Sequence, residues 1–475
     1  IPRVGLWSKI PAMVAQGVQR TQTGFQRYGI LINQVLQWVV FAYQVMAALL
    51  FLFSLFFANR WFRQPFLGAF YEHTLVFNGT GPAESDPAWA LYERVEVGEQ
   101  MTAINGMPIR SAAEVRNILW DRFPGESVTV TVLGKDGRER THDIILYQFP
   151  ETSRNVYFFV PSLLGGIFLA VSLWIFGFRR SEPAGRAFSL FTSSLAIVTG
   201  TYFNLITSHE FTIFWTFACG LAGGALINLA LVFPLEPRGI INRPYLRWVG
   251  VVLGLLLVFA TLPNLFNFER PAAYIANWQV IYGFIAVGVV FYIGMNLYHA
   301  LYAQSPVIKT QSGTILIGTI FAFVPIAVWL GFGFIRPTNF SPYLFLPLAL
   351  FPLVIGYTIL RFRFLRTDDL VRRGIMYALL TVFVMVGYAL LTAGTGMVFG
   401  NALPANNPFL VGVALFLIAI FLEPLRTRLQ NLVDTLFFRG SRVFAEQLED
   451  FTHKLTTTLD LSNIGATMRD QIAST

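Results

Sequence analysis

Ser127-Val128-Thr129-Val130-Thr131-Val132 alternates polar and apolar side chains without a break. Such alternation puts one set of side chains on each face of an extended chain, so it reads as a half-buried strand. The surrounding stretch, 75–146, carries charges and Pro/Gly punctuation, whereas the runs on either side are long and apolar enough to cross a bilayer. A soluble island between a first membrane helix and a long membrane block is the predicted organisation.

Of 475 residues, 55% are hydrophobic, 16% aromatic and 13% charged, which excludes a soluble monomeric globule and fits an α-helical polytopic membrane protein. The net charge is +8, but the arginines flank apolar runs as the positive-inside bias requires. Membrane lipids are therefore the expected partner, and nucleic acid is not. A single cysteine, Cys219, sits in an apolar run, leaving no disulfide framework and no cysteine metal cluster. The opening Ile1-Pro2-Arg3 has neither an initiator Met nor a signal peptide's apolar core, so the chain is expected to begin inside a longer or trimmed protein.

Over 1–29, Trp7, Ile10, Met13, Val14 and Val18 mix with Lys9, Arg20 and Arg27, which suits a helix on the membrane surface or a plain cytoplasmic extension. The first span is expected at 30–58, above the ~20 residues needed to cross the hydrocarbon. Its Gln34, Gln37 and Gln44 share a helical face and should turn to protein or headgroups. Further apolar runs at 156–178, 187–206, 211–234, 247–266, 278–302, 313–335, 341–360, 374–399 and 408–422 predict about ten transmembrane helices, with a bundle at 156–422. Pro342, Pro347 and Pro352 predict a kink. Gly220 and Gly224 predict close helix packing.

With the N-terminus inside, the short inner loops hold twelve Lys or Arg residues, and the short outer loops hold only Arg270 and Arg336. This asymmetry predicts cytoplasmic termini and an island outside. Beyond the bundle, at 423–475, Leu425, Leu429, Leu432 and Leu436 are spaced four, three and four. That seam suits a parallel helix pair, hence a homodimer, or else an amphipathic helix resting on the inner membrane face.

The run Val97-Gly98-Glu99-Gln100-Met101-Thr102-Ala103-Ile104-Asn105-Gly106-Met107-Pro108-Ile109 precedes a helix expected from Ser111 to Leu119. Asn105-Gly106 suits a tight turn, Ser111 a helix cap, and Asp136-Gly137 the end of a hairpin. Together with Pro124-Gly125-Glu126 and the alternating strand, this order resembles the second half of a bacterial PDZ domain. The resemblance implies a small α+β domain over 70–150 that takes a peptide, or the end of an exported protein, as an added strand. It implies a groove lined by Ala112, Arg116 and Leu119, with Val115 and Ile118 turned to the core. The family's glycine-rich carboxylate loop is not placed within 75–96.

Leu346-Pro347-Leu348-Ala349-Leu350-Phe351-Pro352, Asp368-Asp369-Leu370-Val371-Arg372-Arg373 and Glu423-Pro424-Leu425-Arg426-Thr427-Arg428-Leu429-Gln430 resemble the membrane region of multi-pass bacterial sensor histidine kinases, the competence-pheromone type included. The resemblance implies a cytoplasmic (inner) membrane location and a signalling helix at 423–475 that leads to an output domain. ATP would be needed only by such a domain, and no other cofactor is expected.

Catalytic signals are weak. Ser208-His209-Glu210-Phe211-Thr212 imitates a phosphoacceptor box but falls in an outer loop, and His209-Glu210 has no second histidine for a zinc protease motif. No GxSxG elbow is present, and the bundle cores carry almost no charge for an ion path. The expected function is a membrane sensor or receptor module with no catalytic and no metal-binding residue here. The alternatives are a PDZ-containing scaffold or accessory subunit and, less so, a transporter.

Overall fold

The structure is a computed structural model that describes residues 10–82, 84–335 and 341–361, with side chains over most of 31–358. The runs at 374–399 and 408–422 and the seam of Leu425, Leu429, Leu432 and Leu436 lie outside the described residues. Helix α1 (Ile10–Trp61) is continuous, so the surface segment expected at the N-terminus and the first span share one helix.

The island follows. Strands β1 (Gln100–Ile104) and β2 (Met107–Pro108), helix α2 (Ala112–Trp120), and strands β3 (Ser127–Leu133) and β4 (Glu139–Ile145) form an antiparallel sheet of order β2-β1-β3-β4 with one helix. Local chemistry explains each joint. Asn105 and Gly106 both take positive φ, 51° and 76°, as a two-residue turn between right-twisted strands demands. Ser111 Oγ accepts from the Glu114 amide at 3.3 Å, while the Glu114 carboxylate returns to the Arg110 amide at 2.8 Å. Val128, Val130 and Val132 are buried and the residues between them are not, so the alternation read from the sequence is the pleat of β3.

Helix α3 (Glu151–Arg154) passes through a π turn at Asn155–Phe159 into α4 (Val160–Arg179). Next come α5 (Pro183–Gly200), α6 (Tyr202–Thr207), α7 (Thr212–Val232), α8 (Arg238–Asn242), α9 (Val249–Leu265), α10 (Ala273–Tyr302), α11 (Pro306–Ile335) and, after a 3-10 stretch at Pro342–Ala349, α12 (Leu350–Arg361). Among the described residues, six helical stretches are long and apolar enough to cross a membrane: Leu31–Trp61, Glu151–Arg179, Thr212–Val232, Pro244–Leu265, Ala273–Tyr302 and Pro306–Val328. The chain is thus mostly helical and multi-pass, with a small sheet domain inserted.

Two of the expected spans differ. The run at 187–206 is broken at Thr201 into α5 and α6, and Ser189, Thr192, Ser193, Ser194 and Thr199 make it too polar to face lipid. Buried between α1, α4 and α7, α5 instead ties its hydroxyls to the preceding turn, as Thr192 does to the Phe188 carbonyl at 2.9 Å. The run at 341–360 starts as a 3-10 stretch around Pro347, whose ring has no N–H to continue an α-helix. Of the three glutamines, only Gln44 turns fully to protein, where its Nε2 donates to Ser172 Oγ at 2.8 Å; Gln34 is exposed and Gln37 half-buried.

Gly220 and Gly224 pack α7 onto α9. A Cβ at Gly224 would lie 2.5 Å from the Gly250 carbonyl oxygen, and one at Gly220 2.9 Å from that of Gly254.

Candidate functional site

The richest chemistry lies on the seam where the island meets the bundle. An aromatic hub forms its floor. Phe66, Phe70, Trp89 and Phe149 of the island are buried with Ala58 of α1, Tyr157 of the π turn, and Tyr202, Phe203 and Ile206 of α6. Ring centroids stand 4.8 Å apart for Phe66–Trp89 and 5.3 Å for Trp61–Phe203, within the edge-to-face range. The polar tips are satisfied: Trp89 Nε1 donates to Ser153 Oγ at 3.1 Å and the Tyr157 hydroxyl to the Gly81 carbonyl at 2.5 Å.

From this floor a finger reaches into the bundle. Tyr71 and Phe77 pair across a tight turn, Glu72-His73-Thr74-Leu75, closed by the Leu75 amide on the Glu72 carbonyl at 2.8 Å with Leu75 at φ 66°. At its tip His73 Nε2–H donates to the carbonyl of Leu265, the last residue of α9, and Thr74 Oγ1 donates to the Pro271 carbonyl at 2.8 Å. The imidazole sits among Phe266, Tyr274 and Trp278. His73 thus engages a carbonyl that the C-terminal end of α9 leaves without an internal partner, and Thr74 engages one in the loop that leads into α10.

Burial sets the protonation of this cluster. The Glu72 carboxyl is pushed up to about 7 by burial, against the opposing pull of Asn78 Nδ2 at 2.9 Å. Burial likewise drives His73 down to about 4, with the Leu265 carbonyl opposing. His209 falls to about 3, first through burial and then through the neighbouring His73. Its Nδ1–H donates to the Leu205 carbonyl at 2.6 Å. Both imidazoles are therefore neutral donors at ordinary pH.

A third contact latches the island's helix. Arg116 Nη1 of α2 meets the Glu210 carboxylate, in the turn between α6 and α7, at 2.8 Å. Beside it is a cavity of about 160 Å³ lined by Phe57, Arg60, Trp61, Gln64, Arg116, Asn117, Ser208 and Glu210.

Of the three residues expected to line a groove, Arg116 and Leu119 are brought to one narrow void beside 65–71. Leu119 is buried in the island core beside Val115, because the helix turns that stripe to the sheet. Ala112 and Ile118 pack on the same core, and Arg116 reaches across the seam to Glu210. Between α2 and 65–71 only a void of about 20 Å³ is left, with Ile206 and Thr207 of α6 among its walls. The phosphoacceptor-like His209-Glu210 pair has structural duties instead. Sequence reading missed Gln64, Glu72, His73 and Arg60, of which His73 and Arg60 meet partners far along the chain. Among the described residues no group of three or more His, Cys, Asp or Glu is placed to hold a metal ion. Comparison with protein-family models, with curated proteins and with solved structures returns no match for this chain.

Proposed function

We propose that this chain is the membrane input module of a bacterial signal-transduction protein, residing in the cytoplasmic membrane. In this reading the island is extracytoplasmic and PDZ-like, and its displacement biases the helix bundle and, through the 423–475 helix, an output domain such as a histidine kinase. The observation that carries the reading is the planted finger: His73 and Thr74 both bond to backbone carbonyls at the α9–α10 turn. A domain that merely recruits a partner has no need of buried bonds into the membrane helices. A domain that reports its own state does, because a two-state element must be gripped by both sides it couples.

The PDZ-like reading gains a candidate for the missing loop. Gly68, at φ 91°, lies before the finger strand, and a Cβ there would stand 3.1 Å from the Leu91 backbone nitrogen. Beside α2, its neighbours Phe66, Leu67 and Ala69 wall the narrow void, so a peptide strand entering there would have to push α6 aside. Ligand entry and movement of the bundle would then be one event.

A second reading, a scaffold recruiting an exported protein, rests on exposed apolar residues of the island, Phe123 at 71% and Ile145 at 51%. The two separate in one experiment on the full chain in bilayers, with Cys219→Ser and spin labels at Leu425. A cysteine pair replacing Thr74 and Pro271 locks the finger, and His73→Ala releases it. The sensor reading expects the label-to-label distance between copies to differ between the locked and released forms. Identical distances would defeat it and leave the scaffold.

A further inference from the structure

We propose that the seam cavity beside Arg116 is a binding site for a phosphate group, and that its occupant is the headgroup of a phospholipid. The charge points to an anion. Two guanidiniums, Arg60 and Arg116, line the cavity against the single carboxylate of Glu210. Arg60 makes no ion pair among the described residues; its guanidinium lies over the Trp120 ring at 5.0 Å, leaving its in-plane donors free. Donors also dominate the neutral lining. Gln64 is 6% exposed and its Nε2 has no acceptor, an arrangement that is costly unless something else supplies an oxygen. Asn117 and Ser208 complete the polar wall. A tetrahedral oxyanion offers several acceptors at once and matches forked guanidinium donors.

The source follows from where the cavity lies. On α1 the exposed residues Leu49, Leu52, Phe53 and Phe56 form a helical stripe that is apolar along a membrane-spanning stretch. Arg60 is the next residue on that stripe and stands in the last turn of α1, with Phe57 and Trp61 at the cavity wall. An arginine that ends a lipid-facing stripe sits at headgroup level. A lipid packed along the stripe therefore brings its phosphate to the cavity. The inference needs only a membrane-embedded α1, and it stands whether or not the island is a sensor.

Native mass spectrometry of the full chain in detergent tests it, with phosphatidylglycerol, diacylglycerol of the same acyl chains and inorganic phosphate added separately. Phosphatidylglycerol is expected to bind at least about tenfold more tightly than diacylglycerol, the weight of one charge-assisted contact. Asn117→Asp, at an exposed position that leaves the Arg116–Glu210 pair intact, and Arg60→Gln should each weaken it about tenfold, and Glu210→Gln should strengthen it. Inorganic phosphate that binds as well as the lipid and obeys the same substitutions would support the phosphate site and overturn the lipid source. Equal binding of phosphatidylglycerol and diacylglycerol, or no response to Asn117→Asp and Arg60→Gln, would overturn the proposal.

Discussion

The two halves of the island are built on opposite principles. Residues 97–146 form a sheet whose turns, cap and alternation are decided by neighbours a few positions away. Residues 64–77 are buried throughout, yet apart from isolated bridges they are held by groups from elsewhere: Tyr147 and Glu99 in the island, Leu265 and Pro271 in the bundle. The first half carries its own hydrogen-bonded sheet, and Leu67, Leu75 and Phe77 of the second complete its core. The second is common property of island and bundle, and the contrast says that this side of the island cannot change shape without the helices registering it.

The sharpest way to break this contrast is to excavate one residue from each half. Trp89 is wholly buried in the shared hub, and Trp89→Ala should cost about 3–5 kcal/mol through the cavity it leaves. Val130, equally buried, belongs to the island's own core, and Val130→Ala should cost about 1–3 kcal/mol. The difference to look for is its reach. Hydrogen exchange on the full chain in a bilayer should show Trp89→Ala loosening amides in the island and in α6 together, while Val130→Ala loosens β1, β3 and β4 alone. Equal spread from both would mean that the halves form one cooperative unit.

Protonation offers a smaller perturbation confined to the shared half. Glu72 is held protonated by burial, so its contribution is complete below its ordinary 4.5 and is lost as pH rises through about 7. His73 and His209 have the opposite sign: their neutral forms contribute fully above the ordinary 6.5, and that is lost as pH falls through about 4 and about 3. Protection of the Glu72 and Leu75 amides, both bonded within the finger, should therefore peak between pH 4.5 and 6.5. Glu72→Gln should remove the loss on the alkaline side, so that protection rises to about pH 6.5 and then stays level to 7, while the sheet amides stay indifferent throughout. A finger in Glu72→Gln that still loosens between pH 5 and 7 would assign the effect to another group.

The same contrast decides what could be read from the sequence. Asn105-Gly106, Ser111 with Glu114, and the Val128-Val130-Val132 stripe announce themselves because their partners are near in the chain or across one hairpin. Among the described residues apolar length likewise marks six stretches able to cross a membrane, and it misleads where prolines or a Ser/Thr-rich interior intervene, as in α5. His73 and Glu210 carry no such signal, since their partners stand 192 and 94 residues away. Leu119 is a subtler case. Its spacing places it on a face with Arg116, and both line the narrow void beside 65–71, yet the sheet also takes Leu119 together with Val115 into its core.

The weakest link, Arg116–Glu210, is the one whose size matters most for motion. Its side chains are 28% and 39% exposed, so water and salt screen the pair, and a double-mutant cycle should return only about 0.2–1 kcal/mol. Arg116→Ala and Glu210→Ala should each barely shift the unfolding temperature of the full chain, and the coupling should fade as ionic strength rises. In the proposed sensor reading a coupling this small is what a latch requires, because an effector at the seam would have to overcome it with one or two contacts of its own. The finger's bonds, buried among aromatic rings, are not for such an effector to break. A coupling energy well above 1 kcal/mol, insensitive to salt, would make the pair a rivet, and island and bundle would then move as one rigid body.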